Sequence, residues 1–235
     1  MFIGKPDFVE NTTVGIFDII GPVMVGPSSS HTAGAVRIGE FARKLLGDEP
    51  AKALIGLHGS FAATGEGHGT PLALLAGLLG MDPDDEGIPA AREIAQERGL
   101  DFTFEEADLG NVHPNSVQLR LEAEGAALDI KASSVGGGRI QVWDIDGFQV
   151  DLDGVYPTVL LAYPARPGAV AMVTTILSNA GMNIATLKAH RTSRGGQALM
   201  AVQLDHTPTA GVLNALRHLP HMDQVRFVPR LGFGG

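Results

Sequence analysis

The sequence predicts an α+β protein in two parts: an N-terminal α+β domain with antiparallel strands over residues 1–154, and a smaller unit over residues 155–235. Three observations carry this division. Apolar residues at helical spacing dominate the early chain, strict apolar–polar alternation takes over at Val117, and after Tyr156-Pro157 strands and helices alternate in the order βαββαβ. Helices first and antiparallel strands later make the first part α+β, and the second order is the ferredoxin-like one.

Taken in order, Ala35, Ile38, Ala42, Leu45 and Leu46 predict an amphipathic helix from about Thr32, stopped by Gly47. Residues 54–57 read as a buried strand. Residues 71–79 are apolar all round, so a helix there is buried, and Ile88, Ala91, Ile94 and Ala95 predict a surface helix reaching Arg98. Val117, Leu119 and Leu121 alternate with Gln118, Arg120 and Glu122. After a turn at Gly125, Leu128, Ile130 and Ala132 form the return strand of a hairpin with one wet face. Residues 139–146 alternate likewise, with Val150-Asp151-Leu152 extending that strand up to a boundary at Asp153-Gly154. The second unit reads as strand 158–163, helix 168–179, strand 184–190, strand 198–204, helix 209–218 and strand 225–228.

Of 235 residues, 17 are Lys or Arg and 26 are Asp or Glu, a net charge of −9. That balance argues against nucleic acid and anionic membranes, whose binding depends on clustered cations. Cysteine is absent, which excludes disulfides, thiolate zinc sites and cysteine-held clusters on this chain. No metal-ligand spacing of histidines and carboxylates stands in its place. The opening Met1-Phe2-Ile3 is broken by Gly4, Lys5, Pro6 and Asp7, unlike a secretory signal, so the expected compartment is the cytoplasm. Glycine is in excess, with 31 residues.

Three loops carry chemical signal. Gly26-Pro27-Ser28-Ser29-Ser30-His31-Thr32 precedes the first helix, where hydroxyls and free N–H groups at a positive helix end suit a small carboxylate or phosphate. An ordinary Ser-rich helix cap is the competing reading. Gly67-His68-Gly69-Thr70-Pro71 places Thr70 at a helix cap and leaves His68 uncovered between glycines. There it is either a general-base candidate, held neutral by the helix end, or a turn histidine. Ser133-Ser134-Val135-Gly136-Gly137-Gly138 lies between strands, as an anion-binding nest or a bulged hairpin. His58-Gly59-Ser60 and His113-Pro114-Asn115 are weaker signals.

These motifs, with Phe17-Asp18-Ile19-Ile20-Gly21-Pro22 ahead of them, resemble the beta subunit of iron–sulfur-dependent L-serine ammonia-lyase, and the likeness runs in order along nearly the whole chain. It departs at Glu66 and Pro71, where the family pattern has Lys and Asp. The resemblance implies α,β-elimination of L-serine to pyruvate and ammonia, in amino-acid degradation. It also implies a [4Fe–4S] cluster held by cysteines of a separate alpha subunit. Carried over, Ser28, Ser29, Ser30, His31, Thr32 and Thr70 bind the substrate with backbone donors from Gly136 and Gly137, and His68 is the base or its orienter. The second unit resembles the ACT domain, through Arg166-Pro167-Gly168 and Asn179-Ala180-Gly181-Met182-Asn183-Ile184. That likeness implies an amino-acid effector at Gly168 and Asn183, or a module for homodimerisation alone. A stand-alone, non-catalytic amino-acid sensor is the alternative function.

Overall fold

The computed structural model describes residues 23–191 and 196–232; residues 17–22 of the resemblance lie outside them. The first part is one six-stranded sheet covered on one face by helices. Its strands are β1 (Lys52–Gly59), β2 (Asp101–Glu106), β3 (Asn115–Ala123), β4 (Ala126–Gly136), β5 (Arg139–Ile145) and β6 (Phe148–Leu152), in the order β2-β1-β3-β4-β5-β6. β1 and β2 are parallel and the remaining pairs antiparallel. Helices α1 (Gly34–Leu46) and α3 (Thr70–Leu78) cover the sheet, with α2 (Ser60–His68) leaving the end of β1 and α4 (Ala91–Glu97) flanking α3.

The alternating residues divide as the pattern requires except at Gln118, which is buried. Val117, Leu119, Leu121, Leu128, Ile130 and Val142 join Ile38, Phe41, Leu45, Leu74 and Leu78 in the core, while Arg120 and Glu122 face water. α1 and α3 cross backbone to backbone. A Cβ on Gly77 would sit 2.0 Å from the Val36 carbonyl oxygen, and one on Gly39 2.5 Å from that of Leu74, so only glycine permits this approach.

The second unit comprises β7 (Thr158–Pro164), α5 (Ala169–Asn179), β8 (Ile184–Arg191), β9 (Gln197–Leu204), α6 (Ala210–Arg217) and β10 (Gln224–Val228). The sheet order β10-β7-β9-β8, all antiparallel, is the ferredoxin-like order foreseen. Val159, Leu161, Met200 and Val202 pack beneath Val173 and Leu177 of α5 and Leu213 and Leu216 of α6. The opposite face is equally dry: Leu160, Leu199, Ala201 and Val228 belong to the core of the first part. Arg226 of β10 ion-pairs with Asp146 at 3.2 Å and donates to the Ala127 carbonyl at 2.7 Å; Lys188 pairs with Asp151 at 2.7 Å. The boundary at Gly154 is therefore a packed seam, closed by Leu231, whose N–H donates to the Gly154 carbonyl.

Three expectations are corrected and one strand is added. Gly67 and His68, read as part of a glycine-rich loop, are the last residues of helix α2, which was itself not foreseen. The strand β2 was not foreseen. β6 is the return arm of a hairpin turning at Asp146-Gly147, not an extension of β5. Thr70 is the first residue of α3, and Gly69 in the left-handed conformation occupies the cap. The helix begun near Thr32 is preceded by a π-helical turn over Ser29–Ala33. Among the described residues, no helix is long and apolar enough to cross a membrane.

Candidate functional site

The Ser29–Ala33 turn packs against β4, α2 and α3, so it forms the centre of the site. Ser28 caps it: its Oγ accepts the His31 N–H at 3.2 Å. The other hydroxyls are not needed for capping. Ser30 Oγ lies 3.2 Å from His31 Nδ1, and Ser28 Oγ 3.2 Å from Ser30 Oγ. On the far side of the ring, His31 Nε2 meets Ser60 Oγ at 3.2 Å and Thr64 Oγ1 at 3.4 Å, both on α2. The imidazole packs edge-on to Phe61 and stands 4.9 Å, centroid to centroid, from His68. Burial lowers the His31 pKa, the neighbouring His68 lowers it further, and a hydrogen bond to the Ser60 backbone opposes them.

His68 is exposed at the C-terminal, negative end of α2, against the expectation of a loop at the positive end of the next helix. Its Nδ1 is 2.9 Å from the Thr64 carbonyl oxygen. A carbonyl only accepts, so Nδ1 carries a proton, and the lone pair of the neutral form is on Nε2. That is the nitrogen a general base uses, and it stands beside a turn rich in hydroxyls.

α2 begins where it does because of Gly59. At φ 56°, ψ −120° its backbone adopts a conformation closed to other residues, and a Cβ would lie 2.7 Å from the Pro114 carbonyl oxygen. This contact lets Pro114 accept the Ser60 N–H at 2.8 Å. A directed chain holds the Pro114 turn. Trp143 Nε1–H donates to Ser133 Oγ at 3.1 Å, Ser133 lies 2.7 Å from Ser116 Oγ, and Ser116 donates to the His113 carbonyl at 2.5 Å. The two weaker motifs, at His58 and His113, thus meet across the β1–β3 register and position Ser60.

The glycine-rich turn after β4 reaches the same helix end. Gly136, Gly137 and Gly138 all have positive φ, and buried Arg37 of α1 donates to the Gly138 carbonyl at 2.6 Å. Thr32, Thr70 and Ser134 sit more deeply than a loop reading suggests. All three are buried, and none of their hydroxyl oxygens has a hydrogen-bond partner. Thr64 was missed in the sequence, and Ser60 appeared there only within the weaker His58-Gly59-Ser60 motif. Their signal was the spacing Ser60, Thr64, His68, which places all three on one face of a helix.

In the second unit, Gly168 and Asn183 do not meet. Gly168 follows the end of β7 that pairs with the start of β9, whereas Asn183 precedes β8 at the other end of the sheet, where its amide donates to Asp205. A cleft of about 350 Å³ lies at the Gly168 end, lined by Tyr163, Arg166, Pro167, His190 and Arg191.

Comparison with known proteins places this arrangement. The chain is 40% identical over 210 residues to a probable L-serine dehydratase beta chain of Bacillus subtilis, a match covering 89% of this chain and 96% of that one. The chain belongs to the L-serine dehydratase beta-chain family. An L-serine dehydratase beta chain of Peptoniphilus asaccharolyticus is 35% identical over 219 residues, covering 92% and 99% of the two chains. The family model described as serine dehydratase beta chain matches residues 15–99, the segment that holds Ser28 to Thr32, Ser60, Thr64, His68 and Thr70. L-serine dehydratase 2 of Escherichia coli is similar over 90 residues at 36% identity, which is 36% of this beta chain and 19% of that protein.

Proposed function

We propose that this beta chain is a subunit of an iron–sulfur-dependent L-serine ammonia-lyase of the cytoplasm, completed by a cysteine-bearing alpha subunit and converting L-serine to pyruvate and ammonia. The observation that carries the proposal is the exposed His68 imidazole, whose Nδ1–H donates to the Thr64 carbonyl, leaving Nε2 as the nitrogen that can accept a proton, with the ring 4.9 Å from that of His31 in the Ser28–Thr32 turn. Nε2 takes the Cα proton of the substrate. The carboxylate is held at the turn, where the start of α1, its serines and the glycine-rich segment at Gly136 and Gly137 converge.

The chain contains no cysteine, and among the described residues no group of His, Asp and Glu could hold a metal ion. Its own residues therefore do not fit a [4Fe–4S] cluster as ligands. The cluster belongs to the partner, where it would supply Lewis acidity, and this chain contributes base and substrate binding. The second unit is proposed to carry regulation by an amino acid. Since Gly168 and Asn183 lie at opposite ends of one sheet, a ligand touching both needs two copies. The exposed edge of β8 is the surface on which they would pair.

The test is anaerobic co-expression with a cysteine-bearing alpha subunit, followed by measurement of pyruvate formed from L-serine. The complex is expected to turn over and to show iron–sulfur absorption, and the chain alone to do neither. Turnover by the metal-stripped chain alone overturns the proposal.

A further inference from the structure

Four hydroxyls surround the His31 ring, and their protons can be counted. Thr64 Oγ1 lies 2.9 Å from the Ser60 carbonyl oxygen, which can only accept, so the single Thr64 hydroxyl proton is used there. Thr64 Oγ1 then faces its other neighbours as an acceptor: Ser60 Oγ at 3.2 Å and His31 Nε2 at 3.4 Å. Were Nε2 unprotonated, its lone pair would oppose those of Thr64. The one Ser60 proton could not then serve both Nε2 and Thr64. With the proton on Nε2 every contact is satisfied in sequence: His31 Nε2–H donates to Ser60, Ser60 to Thr64, and Thr64 to the Ser60 carbonyl. Nδ1 is then bare, and accepts from Ser30 Oγ at 3.2 Å.

We infer that Ser60 and Thr64 are positioning residues, which hold His31 as the neutral tautomer protonated on Nε2 and so keep its Nδ1 as the acceptor for Ser30. The hydrogen-bond directions alone carry this assignment; its catalytic consequence rests on the proposed lyase reading. A His31 held neutral adds no positive charge 4.9 Å from His68, whose Nε2 must be unprotonated to act as a base. It also keeps the serine turn in one hydrogen-bonded arrangement, with Ser28 donating to Ser30 and Ser30 to Nδ1.

The tautomer is read directly by long-range ¹H–¹⁵N correlation on the ¹⁵N-labelled full chain above pH 7.5, with the His31 signals assigned by their loss in His31→Gln. The wild type is expected to show a protonated Nε2 and a bare Nδ1. Thr64→Val removes the acceptor and frees the Ser60 proton for Nε2, so the population is expected to shift toward the Nδ1–H form. Thr64→Ser is expected to restore it. In the assembled enzyme, Thr64→Val is expected to lower kcat/KM about tenfold, the equivalent of one hydrogen bond, with recovery in Thr64→Ser. A wild-type His31 protonated on Nδ1, or a tautomer unmoved by Thr64→Val, overturns the inference. The expected tautomer shift in a complex that never turns over serine upholds the inference and refutes the lyase reading instead.

Discussion

Replacing His68 by Ala separates catalysis from stability, because the structure ties this side chain to little else. It is exposed, and its contacts are one hydrogen bond to the Thr64 carbonyl and the face of His31. An exposed hydrogen bond contributes at most about 1 kcal/mol net, so Tm should fall by no more than roughly 2–4 °C for a chain of this size. A general base contributes on the order of 10² to 10⁴ in rate, or about 2.7–5.5 kcal/mol of barrier. Steady-state pyruvate formation by the purified complex is thus expected to lose kcat by that factor while the complex elutes and melts almost as wild type. A second readout is internal. His68 is, after burial, the second cause that depresses the His31 pKa, so its removal should raise the His31 titration midpoint toward 6.5. Wild-type kcat in an intact complex would remove His68 from the mechanism. Loss of activity matched by loss of assembly would assign it a structural role.

Ser30→Ala removes the hydroxyl that meets His31 Nδ1 without touching the Ser28 cap, and is expected to cost about 1–3 kcal/mol in kcat/KM; unchanged kinetics with a lower Tm would return the turn to a capping role. Stability should depend on pH through His31. Its pKa is lower in the folded chain than the unfolded 6.5, so the unfolded state binds more protons just below that value. The contribution is fully present above pH 6.5 and declines as pH falls from there toward the folded value. Urea midpoints for wild type and His31→Gln, compared between pH 5 and 8, are expected to converge at the acid end. Gly59→Ala combines a glycine-only conformation, at about 1–3 kcal/mol of strain, with a Cβ 2.7 Å from the Pro114 carbonyl. A fall in Tm of roughly 5 °C or more is expected, together with loss of the His31 tautomer signature. A wild-type melt would show that the Gly59–Pro114 contact does not set the start of α2.

Local pattern determined much of this chain. The six elements of the second unit appear within a residue or two of the spans their apolar spacing marks out, and Gly47 ends α1 in the left-handed conformation as expected. The alternation in β3 and β4 assigned the buried and wet faces except at Gln118, which is buried against Asp129, because a strand's two faces are written in successive residues. α2 escaped notice because Gly65 and Gly67 lower helix propensity, and its stability comes instead from Phe61, buried in the core, and from the Gly59–Pro114 anchor just ahead of β3. The motifs named the serine turn and His68, but not their geometry. Meeting across β1, α2 and the α1–α3 crossing requires pairings between residues dozens of positions apart, which no local window contains. The proton positions were more remote still. Whether Nδ1 or Nε2 of each histidine is basic depends on which carbonyl or hydroxyl the packed fold brings within hydrogen-bond distance. The separation of Gly168 from Asn183 and the dry seam beneath β7, β9 and β10 have the same cause: sequence spacing records the faces of an element, and only sheet order decides which faces and ends come together.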